Sequence, residues 1–393
     1  MKINESTYVL SDKGNAGTIA LVIGLVGLAA SGWGFTADRA QLLHSWLTSF
    51  LFWTGVGLGG LFFTLLHHLA GAKWSVTVRR ISEATALTLP LMAVLFAPLA
   101  FGIHELYHWS HADAVAADEL LQKKAAYLNE PFFLIRTAAY FIIWSILAIA
   151  LRKASTRQDV QPSDTLIARM RKISAAGMIL FAVTITFSSF DWLMSLDAHW
   201  YSTIFGVYIY SGDFLAFLSF AVLVIGYLWR RKILTKEINV NHLQDIGKYT
   251  LAFIIFWAYM AFSQYFLIWY ANVPEETVWF LERWEGSWRT VSLIIIFGHF
   301  AIPFVVMIFR ASKRSIVVMT VMALWMLVMR FIDLYWLVLP GFSHHGAHFT
   351  VWDITTLAGI GGLFVWYFLR QLAAQPLVPV GDPSLQESMR FHS

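Results

Sequence analysis

Ionisable residues interrupt three long apolar stretches of the sequence. Asp213 lies about ten residues into one stretch and His299 about eight residues into another, which puts both near the middle of a membrane at about 1.5 Å per residue. Arg330 and Asp333, spaced i and i+3, share one face of a helix in a third stretch. Charged groups inside a membrane are costly, and buried Asp and His residues typically mark proton or ion pathways.

Further ionisable residues continue this series toward both ends of the apolar stretches. Ordered by expected depth, they predict a proton route in which hydroxyl groups, amides and water bridge the gaps. Its candidate members, from one end to the other, are Glu83 and His67 with His68, then Asp213 and His299, then Asp333, Arg330, Asp191 and Asp353.

Each candidate also has a structural interpretation. Arg330 and Asp333 could form a neutralised pair, and Glu83 near a helix start would suit the helix dipole. Asp191 and Asp353 could cap helices, and His67 with His68 could lie in water at the interface. Asp and His among aromatic residues could instead hold a quinone headgroup. No histidine pair at matched depth favours a bis-His haem.

Composition excludes a soluble enzyme. Of the 393 residues, 58% are hydrophobic and 13% are charged, against about 25% charged residues in soluble domains. The absence of Cys excludes disulfides, cysteine-ligated iron–sulfur clusters and covalent haem at a C-x-x-C-H motif. We expect no metal and no resident cofactor in this chain, with menaquinol left open, and no nucleic-acid partner.

Apolar windows of about 20 residues recur along the whole chain and predict an all-α polytopic membrane protein. The first helix is expected to stay uncleaved, and residues 372–393 to form a cytoplasmic tail of the single membrane domain. We predict ten spans, at 16–34, 41–71, 81–103, 131–151, 173–193, 203–229, 248–271, 291–310, 316–338 and 350–371.

Basic residues are distributed unevenly between alternate loops. The termini and the loops after spans two, four, six and eight hold 21 Lys and Arg residues, and the other loops hold 5. The positive-inside rule then predicts that both termini are cytoplasmic. It places residues 152–172 in the longest internal cytoplasmic loop, and it places the loops 104–130, 272–290 and 339–349 outside.

Spans two to five and spans six to nine show signs of a duplication. Trp53-Thr54-Gly55 matches Tyr210-Ser211-Gly212, and Asp191 at the end of span five corresponds to Asp333 in span nine. A unit with an even number of helices repeats in the same orientation. The pattern predicts two four-helix bundles, at 41–193 and 203–338, with spans one and ten at the periphery.

Two segments carry a resemblance to a known family. SFDWLMSLDAHWYSTIFGVY, which begins at Ser189, and RFIDLYWLVLPGF, which begins at Arg330, resemble the NrfD-like membrane subunits of alternative complex III, a quinol:cytochrome c oxidoreductase. The similarity is to the ActF type and extends over the chain. Asp191, His199, Arg330 and Asp333 match it, although the match assigns them no chemical role.

The resemblance implies two flanked four-helix bundles in a bacterial cytoplasmic (inner) membrane. It implies a complex that oxidises menaquinol. The partner subunits would be a second NrfD-like membrane subunit, an iron–sulfur subunit that holds iron–sulfur clusters, and subunits that hold haem c. A terminal oxidase is a further candidate partner. An ActF-type subunit would contribute a scaffold and a proton route rather than catalysis. Two alternatives stay open: the chain binds quinol itself, or it is a secondary transporter with parallel repeats.

Overall fold

Long helices make up most of the chain. The computed structural model describes residues 2–4, 8–12, 14–343 and 346–392. Within this part, ten helices are long and apolar enough to cross a membrane, which confirms the predicted all-α polytopic class. They are α1 (Ala16–Ala37), α2 (Arg39–Ala70), α3 (Trp74–Phe101), α4 (Glu130–Val160), α5 (Asp164–Trp192), α6 (Phe205–Arg230), α7 (Val240–Ala271), α8 (Trp288–Ile308), α9 (Ile316–Val338) and α10 (Val351–Leu372).

Helices α2 and α6 form the centre of the molecule and pack against each other. Helices α2 to α5 contact one another in a ring, and helices α6 to α9 form a second ring. Helix α1 packs along α10, which in turn packs on α2. A Cβ atom at Gly27 or Gly362 would collide with backbone of the facing helix, so small residues allow α1 and α10 to approach closely.

Proline residues interrupt α3 and α8. Helix α3 consists of a 3₁₀ turn at Trp74–Val78 and the segments Arg79–Ala86, Leu89–Leu95 and Ala97–Phe101, the last two with a proline in their first turn. Helix α8 contains a π-helical turn at Ile295–Ala301. Pro303 follows this turn and cannot donate a hydrogen bond to the carbonyl of His299, four residues earlier, so the regular α-helical ladder is broken there.

Most of the predicted loop at 152–172 is helical, so its expected bounds are wrong. Helix α4 continues to Val160 and α5 begins at Asp164, where the Ser163 hydroxyl caps it by accepting a hydrogen bond from the N–H of Thr165. The helices extend past their apolar windows because polar side chains at the ends of a spanning helix lie outside hydrocarbon. Hydropathy therefore predicts the part of a helix that lies in hydrocarbon, not the full length of the helix.

The C-terminal segment folds back over the end of the molecule that also holds the N-terminal residues. Leu377 and Val378 are buried, and the N–H of Leu377 donates to the carbonyl of Tyr8. The Ser388 hydroxyl donates to the carbonyl of Trp74. Two short antiparallel strands, β1 (Lys2–Asn4) and β2 (Val9–Asp12), lie at the same terminus. We call the end of the molecule that holds both chain termini the basic end, after its Lys and Arg residues. The end across the helices from it is the opposite end.

Candidate functional site

A buried arginine lies between two buried carboxylates at the interface of α6 and α9. The Arg330 guanidinium donates to Asp213 Oδ1 at 2.7 Å and to Asp333 Oδ2 at 2.5 Å. The Tyr208 hydroxyl donates to the other oxygen of Asp333. Asp333 is fully buried, Arg330 is 1% exposed and Asp213 is 5% exposed. We call these four residues the acid–arginine cluster.

Two glycines provide the space for this cluster. A Cβ atom at Gly55 on α2 would overlap the carboxylate of Asp213, and one at Gly212 on α6 would overlap the guanidinium of Arg330. These glycines occupy matching positions in the predicted repeat, WTG and YSG. The sequence match therefore falls on two sites where the backbone must approach a buried charge closely.

The cluster contains one more acid than base. One guanidinium neutralises one carboxylate, so the second acid either carries a buried negative charge or holds a proton. An unpaired charge at this burial costs several kcal/mol. The arrangement therefore favours a proton shared among Asp213, Asp333 and Tyr208, with Arg330 holding the two acids in place.

A small cavity of about 20 Å³ adjoins the cluster on the side of the first bundle, between α2, α5, α6 and α9. Asp213, Thr54, Ser188 and Ser189 are among its lining residues. The Thr54 hydroxyl is buried and has no hydrogen-bond partner among the described residues. The volume is enough for about one water molecule, which needs polar partners such as these.

His299 lies apart from the hydrogen bonds of the cluster. Its ring packs against Trp257 at a tilt of 32°, with centroids 3.8 Å apart, and Trp257 in turn lies beside Tyr208. Both ring nitrogens of His299 are buried and form no hydrogen bond within the described chain. His299 is fully buried, but no hydrogen bond among the described residues joins it to Asp213.

Asp191 forms a second, separate ion pair. The Arg136 guanidinium donates through Nε and one Nη to the two Asp191 oxygens, both at 2.9 Å, and the Tyr140 hydroxyl donates at 2.7 Å. The guanidinium also lies 3.8 Å from the ring centroid of Tyr127. The capping interpretation of Asp191 is therefore wrong. Asp191 and Asp333 match in the repeat, but their partners differ.

Glu83 belongs to a charge network at the basic end. It accepts from Arg80 at 2.6 Å and from Arg152 at 2.9 Å, and it lies 3.6 Å from Arg79. Arg80 also pairs with Asp159, and Arg79 pairs with Asp382 of the C-terminal segment at 2.6 Å. Three acids balance three arginines, which favours a structural role. The helix-start interpretation is wrong, because Glu83 lies past the first turn of Arg79–Ala86.

His67 and His68 are buried, contrary to the expectation that they lie in water. The Nδ1 atom of His67 hydrogen-bonds to the carbonyl of Phe63 at 2.8 Å, and the imidazole stacks on the Phe63 ring. Phe63 also contacts Phe214 and Phe217, and these rings lie between His67 and the cluster. These apolar rings therefore interrupt the predicted proton route between the cluster and the basic end.

Asp353 caps α10, which confirms the structural interpretation. Its carboxylate accepts from the backbone N–H and the hydroxyl of Thr350, at 2.7 and 3.0 Å. Such a capping box satisfies donors at a helix start. No hydrogen bond within the described residues connects Asp353 to the cluster.

A cavity of about 400 Å³ opens at the opposite end, and we call it the vestibule. Asp197 and His199 of the resemblance segment line it, and His199 pairs with Asp118 at 2.6 Å. Asp118 caps the short helix Glu119–Lys124, and the backbone N–H groups of Leu121 and Leu120 donate to its carboxylate. These hydrogen bonds and the one with His199 lower the pKa of Asp118. Other lining residues are His44, His104, His108, His111, Phe205, Arg283 and Leu337.

Arg283 of the vestibule combines burial with an unusual set of partners. Its guanidinium stacks 3.5 Å from the Trp279 ring centroid and donates to the carbonyls of Trp279 and Leu337. Both carbonyls lie in the last turn of a helix, where a cation is favoured by the dipole. Burial lowers the pKa of Arg283. Sequence inspection did not single out this residue.

The vestibule approaches the acid–arginine cluster. Phe205 and Leu337 line it, and each lies about one helical turn from a cluster residue, Tyr208 on α6 and Asp333 on α9. Among the described residues, no group of three or more His, Asp or Glu side chains is placed to hold a metal ion. Site and fold together describe a multi-pass helical membrane protein with an excess buried acid next to a polar cavity.

Comparison of the chain with protein-family models and with curated proteins gave no match.

Proposed function

We propose that this chain is a membrane subunit of a respiratory quinol-oxidising complex of the alternative complex III type, and that it provides a proton route. The observation that carries the proton route is the acid–arginine cluster, with two buried carboxylates sharing one guanidinium. The assignment to the complex rests on the resemblance of the segments beginning at Ser189 and Arg330. The chain would lie in a bacterial cytoplasmic membrane with its basic end in the cytoplasm.

The proposed route runs from the vestibule to the small cavity. A proton enters past Phe205 and Leu337, reaches the Tyr208–Asp333 hydrogen bond and passes to Asp213. Arg330 contacts both acids, so a proton on either one leaves the other paired with the guanidinium. A water molecule in the cavity would connect Asp213 to the Thr54 hydroxyl.

Beyond the cavity, hydroxyl groups line the contact between α2 and α3. Thr64 donates to Ser82 at 2.9 Å, and Thr85 and Thr88 follow on the same segment. Glu83 and its arginines lie next to Ser82 at the basic end. We propose that this hydroxyl series forms the second half of the route and avoids the rings of Phe63, Phe214 and Phe217.

The geometry favours this function over the two alternatives. A quinone ring does not fit a cavity of about 20 Å³ next to Asp213, so the cluster is not suited to hold a headgroup. Secondary transporters bind substrate near the bilayer midplane at the interface of their repeats. At that interface this chain has the same cavity of about 20 Å³, which is enough for about one water molecule and too small for a larger solute.

The test of the assignment is isolation of the native assembly. The tagged chain, extracted from native membranes in mild detergent, should bring down partner subunits that show the absorption bands of c-type haem. Because this chain has no Cys, that signal must come from its partners. Recovery of the chain alone, together with solute transport in vesicles that hold only this chain, would contradict the assignment.

A further inference from the structure

A groove of about 590 Å³ lies at the basic end, where α1 begins and α6 ends. One wall comes from the first turns of α1, including Ile19 and Ile23, which are 57% and 49% exposed. The other wall comes from Tyr227 of α6 and from Arg231, which follows the end of that helix. The groove is therefore apolar along its length and carries a cation at its end.

The cations beside this groove have no acidic partner in the part of the chain whose side chains the structure describes. The end of α6 is basic: Arg230 is followed directly by Arg231 and Lys232, and Lys236 lies four residues further on. None of the four forms an ion pair among the described residues. The nearby arginines of the Glu83 network are all paired. Arg231 instead lies over the ring of Tyr227, 5.6 Å from its centroid. Four positive charges without an acidic partner among the described residues attract an anion.

We propose that this groove binds an anionic phospholipid. Its phosphate would lie at Arg231, with Arg230 and Lys232 adding to the attraction, and an acyl chain would lie against Ile19 and Ile23. Basic clusters at the end of a membrane helix, next to a gap between helices, have the chemistry that recognises anionic headgroups. A soluble anion would match the cations but not the exposed apolar wall.

A bound lipid would also complete the packing of α1. This helix packs on α10 and meets α2, whereas the groove separates its first turns from α6. The lipid would fill that gap and connect α1 to the second bundle. The inference does not rest on the proposed proton route and holds whichever complex the chain joins.

Native mass spectrometry of the purified full chain tests the proposal, with phosphatidylglycerol or phosphatidylcholine added in detergent. We expect preferential retention of phosphatidylglycerol. Arg231→Gln should lower that retention roughly fivefold, the effect of one basic residue near an anionic surface. Arg169→Gln is the matched control, because Arg169 is an exposed basic residue outside the groove, and it should retain lipid as the wild type does.

A second variant separates groove binding from a general effect of charge. Ile19→Trp fills the groove and keeps every cation, so it should also reduce retention of phosphatidylglycerol. Melting temperatures would establish that each variant is folded. Equal retention in the Arg231→Gln and Arg169→Gln variants, or full retention in Ile19→Trp, would overturn the proposal.

Discussion

Replacement of Arg330 should be far more destabilising than replacement of either acid that it contacts. Arg330→Gln removes the guanidinium and leaves Asp213 and Asp333 facing each other in a buried site. Removal of one partner from a buried ion pair typically costs about 3–5 kcal/mol, because the remaining charge loses its compensation. The cost here should reach the upper part of that range, since the guanidinium donates a hydrogen bond to each of the two acids and both bonds are lost with it.

Asp213→Asn is the matched isosteric change. It keeps the side-chain volume, so the contact with Gly55 is unaltered, and it leaves Arg330 paired with Asp333 as a neutral pair. We expect a loss of about 1 kcal/mol, the scale of one hydrogen bond whose acceptor loses its charge. The double variant Asp213→Asn with Arg330→Gln should be more stable than Arg330→Gln alone, because only one acid then remains without the guanidinium.

The assay is the free energy of unfolding of the full chain in mixed micelles, titrated with a denaturing detergent and followed by the fluorescence of its tryptophans. The double variant provides a coupling energy from a mutant cycle. Equal destabilisation by Asp213→Asn and Arg330→Gln, or no rescue in the double variant, would refute the argument that charge balance holds the cluster together.

Three further predictions concern other parts of the molecule. Gly55→Ala should lower stability by about 1–3 kcal/mol because its methyl group overlaps the Asp213 carboxylate, whereas Gly32→Ala, with open space around it, should not; melting temperatures compare the two. Arg136→Gln should cost about 3–5 kcal/mol by leaving the buried Asp191 unpaired, and an unchanged unfolding free energy would contradict this. The pKa of Asp118 is lowered on folding, so the contribution of its carboxylate to stability is present above about pH 4 and is lost as the pH falls through the lowered pKa. The melting temperature of the wild type should therefore exceed that of Asp118→Asn by less below about pH 4 than above it. A difference that stays constant with pH would count against this prediction.

The sequence predicted the helices well because the membrane demands a long apolar run for each one. It also placed Arg330 and Asp333 on one face, since residues at i and i+3 are neighbours on any helix. It could not show that Asp213 joins them, because that contact depends on how α6 packs against α9. Asp213 has no arginine near it in sequence, yet it has one in space.

Other errors have the same physical origin. His67 and His68 lie near a helix end, where hydropathy predicts water, but α3 and the C-terminal segment pack over that end. The π-helical turn at His299 was not predicted, although a proline four residues after it was a usable signal. Pattern analysis found the ionisable residues, and tertiary packing decided which of them are partners.

The central claim is that the acids of the cluster carry protons across the membrane, and proton release by the reconstituted complex tests it most directly. Vesicles would contain the complex with wild-type chain, Asp213→Asn or Asp333→Asn, with quinol and cytochrome c supplied and an external pH indicator present. We expect both variants to keep electron transfer at or near the wild-type rate in uncoupled vesicles and to release fewer protons per electron. Wild-type proton release and wild-type electron transfer in both variants would contradict it.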